Sequence, residues 1–485
     1  MRPIEKKTVF APQSVRRLPI TREEFPVGGA ARMVSPIDLS RYGYVEEEYV
    51  VSGRAVVYTW PKAEERPLAL TEGAYATRIL VRKPADPRRF SGTVAMESFN
   101  GSFGIDHANA GWGLTWAYLV DSGDAWVGYT KDGNCIEALK AIAPRRYAGL
   151  GYPNPRPPSE WGEPGWDPFL EYCRRHGAPF PLTLDPRYER GLTYEAMYQI
   201  GALIKRAEEG DPFEGYGVQR LIAFGINDYN THVAALHPYL RLSGGEPIVD
   251  GYLMYMSGEG GQLNYSEDCF ALDDPRCRRT CDVPVIKIET SGDLRGELPH
   301  PLWAALWRCP DGDVPGRQMR WYEIPGLGVA AAFRSDQLFF ACDEDYAKVG
   351  RRTFARYPYW NQMSRHLMVG AYHNLKEWIV QGTPPPKADR IALRGAYPDI
   401  QIETDGDGNH VGGVRHPYLE APIARFGEDS SIAFFDKDKR DRLYRDHDDY
   451  VSRVAESARR MARRRWIRPE AVQALVEQAQ SLPWR

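Results

Sequence analysis

No stretch of this sequence is apolar for long enough to span a bilayer, and the opening MRPIEKK lacks the apolar core of a secretion signal. A cytoplasmic protein with no membrane partner is the expectation. Neither sign of charge dominates: 62 Lys and Arg against 65 Asp and Glu leave a formal net charge of −3. The chain therefore offers no basic field to nucleic acid or an anionic surface. Cysteine is scarce, and seven in 485 residues is an odd number, which argues for free thiols rather than a disulfide framework. Cys269, Cys277, Cys281 and Cys309 lie close in sequence, but their spacing forms no paired C-x-x-C ribbon, so no metal is expected. No cofactor is expected either. The chain carries no internal repeat and no low-complexity tract.

What is present reads as an ordinary globular composition, 43% hydrophobic and 26% charged, long enough for one large domain with insertions or for two domains. Residues 1–40 carry mixed charge and several prolines and read as an arm packed on the body. In residues 44–58 two apolar runs flank Ser52-Gly53, which predicts a hairpin turn there. Strands follow at 75–83 and 90–98, a Gly/Asn/Ser loop at 100–104, a helix at 112–122 and a strand at 125–130. Strands alternating with helices point to an α/β class with a mostly parallel central sheet flanked by helices, and hairpin strands at its leading edge. Residues 131–192, rich in Pro and Trp, interrupt that rhythm and read as a cap over a pocket at the carboxyl ends of the strands. A helix at 192–209 and strands at 248–254, 283–289 and 319–324 complete a core expected over 41–340. Residues 341–485 read as a loop and helical extension packed on that core, ending in a helical pair at 436–465 and 469–482.

The chain is organised around residues 221–230, LIAFGINDYN, where an apolar run reaches Gly225 and helical character begins at Thr231. Strand, tight turn and helix make the frame of a nucleophile elbow, in which G-x-S-x-G presents a serine above the sheet. Here the residue two after Gly225 is Asn227. A carboxamide has no proton to lose near neutral pH and no useful nucleophilicity. The frame is a hydrolase's; the nucleophile is missing.

Several segments in the same order, among them RILVRKPADPRRFSGTVAMESFN, APRRYAGL, LHPYLRL, PVIKIETSGDL, RWYEIPGLG and DGNHVGGVRHPYLEAPIA, resemble the bacterial α/β-hydrolase domain-containing family from about residue 35 onward. The resemblance implies an α/β-hydrolase fold with a cap insertion and a C-terminal helical extension. It also carries the family's site residues onto this chain. The Gly-x-Ser-Gln-x-Gly elbow falls on Gly225, Asn227, Asp228 and Asn230, so asparagine stands at the serine place. The acid falls in Thr290-Ser291-Gly292-Asp293, with Ser291 at the glutamate place and Asp293 kept. The histidine falls on Val329, and no histidine occurs between His300 and His366. The loop that helps build the oxyanion hole keeps Asn100, Ser102, Gly104 and Asp106. Acyl-enzyme chemistry needs an ionisable oxygen, a base and an orienting carboxylate, and all three are replaced together.

Three coordinated losses point to a change of function. The expected activity is that of a cofactor-free lyase, isomerase or cyclase acting on an apolar or aromatic small molecule. Asn227 would donate its amide to a carbonyl or developing oxyanion, while Asp228 as base and Tyr229 as acid would move protons. His107, beside Asp106, is a further acid–base candidate because histidine titrates near neutrality. Asn100, Ser102, Asp106, Ser291, Asp293 and Val329 would line the ligand. Each has a plain alternative: His107 capping the helix of Trp112, Asp228 in an ion pair, Tyr229 packing under the elbow. Two rival readings stand beside this one. The first is a non-catalytic small-molecule receptor, as in gibberellin receptors with an aliphatic residue at the histidine place. The second is an ester hydrolase with a relocated triad, drawn from Ser98, Ser102, Ser257 and Ser291 with His107, His232, His237 and His300, or using Asp228 as nucleophile one residue out of register. His232 and His237 are five apart, too far round a helix for an i,i+4 metal pair, and His237 is expected to pack structurally. Sequence fixes neither the substrate nor the oligomeric state; a homo-oligomer stays open.

Overall fold

The structure is a computed structural model and describes residues 2–21, 23–101, 104–106, 110–165, 185–226, 229–256, 262–268, 270, 274, 276, 282–295, 308–328, 342–350, 361–395, 400–427, 431–482 and 484. Contacts gather the chain into two compact units, residues 1–283 with 336–355, and residues 284–335 with 356–485. The division falls after residue 283, whereas the sequence suggested a core running to 340.

The first unit is built on a sheet of β1 (Ser14–Leu18), β2 (Tyr44–Thr59), β3 (Leu68–Pro84), β4 (Thr93–Ser98), β5 (Ala125–Tyr129), β6 (Arg220–Ile226) and β7 (Gly251–Tyr255). Their order is β7-β6-β4-β5-β3-β2-β1. The pairs β7–β6, β6–β4 and β4–β5 are parallel, and every residue of β4, β5 and β7 is buried, as expected of strands covered on both faces. From β5 outward the pairing is antiparallel. Around the sheet stand α1 (Ala110–Ser122), α2 (Gly133–Ile142), α3 (Leu192–Arg206) and α4 (Tyr229–Leu236).

One sequence expectation changes here. The hairpin turn does not lie at Ser52-Gly53: β2 runs unbroken through both, Ser52 opposite Ala76 and Gly53 opposite Tyr75, and the chain reverses only between Thr59 and Leu68. Gly53 is there for close approach. A Cβ on it would meet Gln199 Oε1 at 3.0 Å and the Tyr75 ring at 3.3 Å. The expected N-terminal arm is knitted into the body. Its residues 14–18 form the edge strand β1 on β2, Lys7–Thr8 pairs in parallel with Leu240–Arg241, and Lys7 Nζ sits 2.6 Å from Glu195 Oε1.

The second unit holds a parallel pair, β8 (Val285–Thr290) and β9 (Met319–Ile324), in register from Val285 opposite Met319 to Thr290 opposite Ile324. Its helices include α5 (Ser291–Arg295), α6 (Asn361–Gln381), α7 (His447–Arg463) and α8 (Ala471–Ser481). The helix read at 436–465 is split, with a first piece at Lys437–Leu443. The Asp446 side chain accepts from Asp449 N at 2.8 Å, an N-cap that starts α7 afresh. Among the described residues, no helix is long and apolar enough to cross a membrane.

Candidate functional site

β6 lies between β4 and β7, with Phe224 opposite Glu97 on one side and Ile226 opposite Tyr255 on the other. The carboxyl ends of these parallel strands therefore come out together, the side on which ligands bind in α/β sheets. β6 ends at Ile226 and α4 opens at Tyr229, so only two residues separate strand from helix. Those two, Asn227 and Asp228, lie outside the described residues, as do Ser102, His107, Ser257, His300 and Val329. Beside the elbow, at the end of β7, Met256 is buried and holds φ at +53°, a left-handed conformation that costs a side chain with Cβ roughly 1 kcal/mol or more.

The loop leaving β4 is anchored from below. Asn100 follows Phe99 into a buried position, and Asp106 is fully buried. An oxygen of the Asp106 carboxylate accepts from Arg78 Nη2 at 3.0 Å and from the Thr130 hydroxyl. Arg78 in turn reaches Glu48 Oε1 at 3.2 Å and donates to Val27 O at 2.7 Å. Glu48 also takes Arg146 Nε at 2.7 Å and the Tyr147 hydroxyl at 2.9 Å. Burial pushes the Asp106 carboxyl up, and Arg78 beside it pulls the other way. These bonds give Asp106 a place as an anchor of the loop. The His107–Asp106 acid–base pairing falls partly outside the described residues, and one Asp106 oxygen is already taken up by Arg78 and Thr130.

One strand residue escaped the sequence reading altogether. Glu97, next to last in β4 and buried, accepts from Gly111 N at 2.6 Å, Trp112 N at 3.0 Å and Trp126 Nε1 at 3.0 Å. Burial pushes its carboxyl up to about 7, against the pull of those three donors and of Arg82. Nothing in the run TVAMES marks it, because its partners come from α1 and β5.

In the second unit the two loops that follow β8 and β9 are stitched to each other. Ser291 is fully buried; its Oγ and the backbone N of Gly292 both donate to Leu327 O, each at 2.9 Å. Asp293, half-buried, turns back to accept from Thr290 N at 2.7 Å and Thr290 Oγ1 at 2.8 Å, closing the start of α5. Ser291 carries no negative charge, and its hydroxyl is engaged.

The components of a relocated triad are not assembled among the described residues. Ser98 is buried at the end of β4, and its hydroxyl meets no hydrogen-bond partner among the described residues. His237 packs as expected: Nδ1 lies 2.9 Å from the Tyr252 hydroxyl and Nε2 3.0 Å from Asp282 Oδ1. Tyr252 is the second residue of β7, so this ring serves the amino-terminal half of the sheet. Cys135 and Cys342 are free thiols, while Cys269, Cys277 and Cys281 lie outside the described residues.

Comparison with known proteins agrees with this frame. A family model described as an alpha/beta hydrolase domain matches residues 9–477. A search of curated proteins finds no match. Among solved structures, Candida antarctica lipase A is 8% identical, with 77% of this chain and 83% of that chain covered and a TM-score of 0.33. A bacterial esterase is 12% identical, covering 63% of this chain and 89% of that one at a TM-score of 0.26. An alpha-beta serine hydrolase homologue from Coxiella burnetii is 7% identical, covering 45% and 69% at 0.23. Parallel strands on either side of β6, a strand-to-helix passage of two residues and a family match over residues 9–477 together give one conclusion: the chain belongs to the α/β-hydrolase domain family.

Proposed function

We propose that this member of the family does not hydrolyse esters and acts as a cofactor-free lyase, isomerase or cyclase on an apolar or aromatic small molecule. The observation that carries the reading is the identity of the two residues between β6 and α4, Asn227 and Asp228. Neither can form an acyl-enzyme through a hydroxyl or thiol. Two further residues support it. Ser291, at the acid place, is neutral and donates to Leu327 O, and Val329, at the histidine place, has no proton to exchange. What the site offers instead is proton movement. The Asn227 amide polarises a carbonyl, the Asp228 carboxylate takes a proton from the adjacent carbon, and Tyr229 or His107 returns one elsewhere on the substrate. Such a step shifts a double bond without water. Asn100 and Ser102 are the polar groups proposed to orient the ligand.

A short-chain aryl ester and a fluorophosphonate probe test the first half: neither turnover nor labelling is expected. A labelled serine, or turnover of the ester, would overturn the reading. The second half is tested by native mass spectrometry of ligand bound by the purified chain from a metabolite extract. The bound compound should be converted without gaining water, and Asn227→Ala should slow conversion about 10²-fold, the size of a lost oxyanion donor. A ligand returned unaltered would instead make the chain a receptor.

A further inference from the structure

We propose that His237 is a positioning residue held as an imidazolium: a proton on each ring nitrogen lets it join Asp282 to a pair of phenols that ends on α4. The chain has four links. Tyr198 of α3 donates to the backbone carbonyl of Val233 in α4, and its hydroxyl lies 3.0 Å from that of Tyr252 in β7. The Tyr252 hydroxyl lies 2.9 Å from Nδ1 of His237, and Nε2 lies 3.0 Å from Oδ1 of Asp282. Tyr198, Tyr252 and His237 are fully buried.

Counting protons decides the state of the ring. Both ends of the chain only accept: Val233 offers a carbonyl, and His237 with Arg241 holds the Asp282 carboxyl well below the usual carboxylate range. Four links between two acceptors need four protons. Two phenols and a neutral imidazole bring three; an imidazolium brings the fourth. Any further donor to a phenol oxygen brings its own proton and leaves the shortfall unchanged. A neutral ring has two places for its one proton. On Nε2, it leaves one buried contact, phenol to phenol or Tyr252 to Nδ1, without a hydrogen. On Nδ1, it sets the Nε2 lone pair against the Asp282 carboxylate, because the other donor in reach, Arg241 Nη1, lies farther off at 3.4 Å.

The surroundings pull both ways. Burial works against charge on the ring, and so does Arg241, while Asp282 and Asp250 favour it. Arg241 is committed to the Asp282 oxygens at 2.8 and 2.7 Å, and Asp250 is held by Lys205 at 2.9 Å. His237 directly follows Leu236, the last residue of α4, where the helix dipole favours a cation. The four links tie α4 to α3 and β7 whatever reaction the site runs, so this inference and the reading above fail independently.

Nitrogen NMR of the full chain carrying labelled histidine, titrated from about pH 6 to 9 around the ordinary histidine value, is the test, with His237→Gln to assign the signal. In the wild type the His237 ring should carry both protons at pH 7. Tyr198→Phe is the decisive variant. Its hydroxyl stands one link away from the ring, yet removing it frees Tyr252 to donate to Nδ1, and the two remaining links need only two protons. The ring should then hold its second proton about tenfold less tightly, the worth of one hydrogen bond to a charged group, and lose it to the neutral Nε2–H form. A neutral His237 ring in the wild type at pH 7 overturns the proposal, and so does an unmoved midpoint in folded Tyr198→Phe.

Discussion

Arg78 is fully buried and faces two carboxylates at once, Glu48 on β2 and Asp106 in the loop after β4. Removing one member of such a set leaves the others charged and unpaired out of water, which typically costs about 3–5 kcal/mol. Arg78→Met should therefore lower thermal stability by that order and loosen exchange protection across residues 104–106. A loss below about 1 kcal/mol would mean that water reaches the carboxylates. Arg82, four residues on, repeats the arrangement with Glu46, its direct cross-strand neighbour. Sequence shows the strand in RILVRK but not this interior. Arginine is normally a surface residue, and the acids that draw these two inward come from β2 and from the loop after β4. The same holds for Glu97. By contrast, the strand before Asn227 and the helix after it are legible in the sequence alone, because both are locally encoded.

At the scale of elements, existence was legible and punctuation was not. β9 spans 319–324 as read, and α1, β5 and β6 lie within two residues of expectation. The error at Ser52-Gly53 came from treating glycine as a turn signal. Glycine serves equally where another side chain must come close, and here that neighbour is Gln199, tied at both ends: Tyr75 donates to its Oε1 at 2.9 Å and its Nε2 donates to Arg54 O at 2.6 Å. A methyl added at Gly53 has to displace that bridge. Gly53→Ala should cost about 1–3 kcal/mol, the usual range for overpacking a filled site, read as a lower unfolding midpoint. A turn glycine would respond differently, since its cost comes from positive φ, and no positive φ is found at Gly53. An unchanged midpoint would show that the Gln199 bridge yields freely. The broken helix at 444–446 carries the same lesson. No Gly or Pro marks the break in this charged run, and only the cap made by Asp446 reveals that the backbone starts again.

At the scale of the whole molecule, the two units hold groups that titrate in opposite senses. In the second unit, burial and the neighbouring Arg415 push His416 down to about 3, and burial with Arg365 pushes the half-buried His366 down to about 4. A histidine whose pKa falls on folding stabilises the native state above its unfolded value of about 6.5, and that stability is lost as the pH drops below it. In the first unit Glu97 is raised to about 7, so its contribution is present in acid and lost as the pH rises toward 7. Acidification from pH 7 to 5 should thus weaken the second unit while the Glu97 contribution in the first moves the other way. Limited proteolysis across that range is the measurement: early cuts should fall within residues 356–485, and His416→Phe should delay them. Cuts appearing first within residues 1–283, or no delay in the variant, would assign acid sensitivity to some other group. If the second unit does yield first, β8, β9 and the Ser291–Leu327 stitch loosen with it.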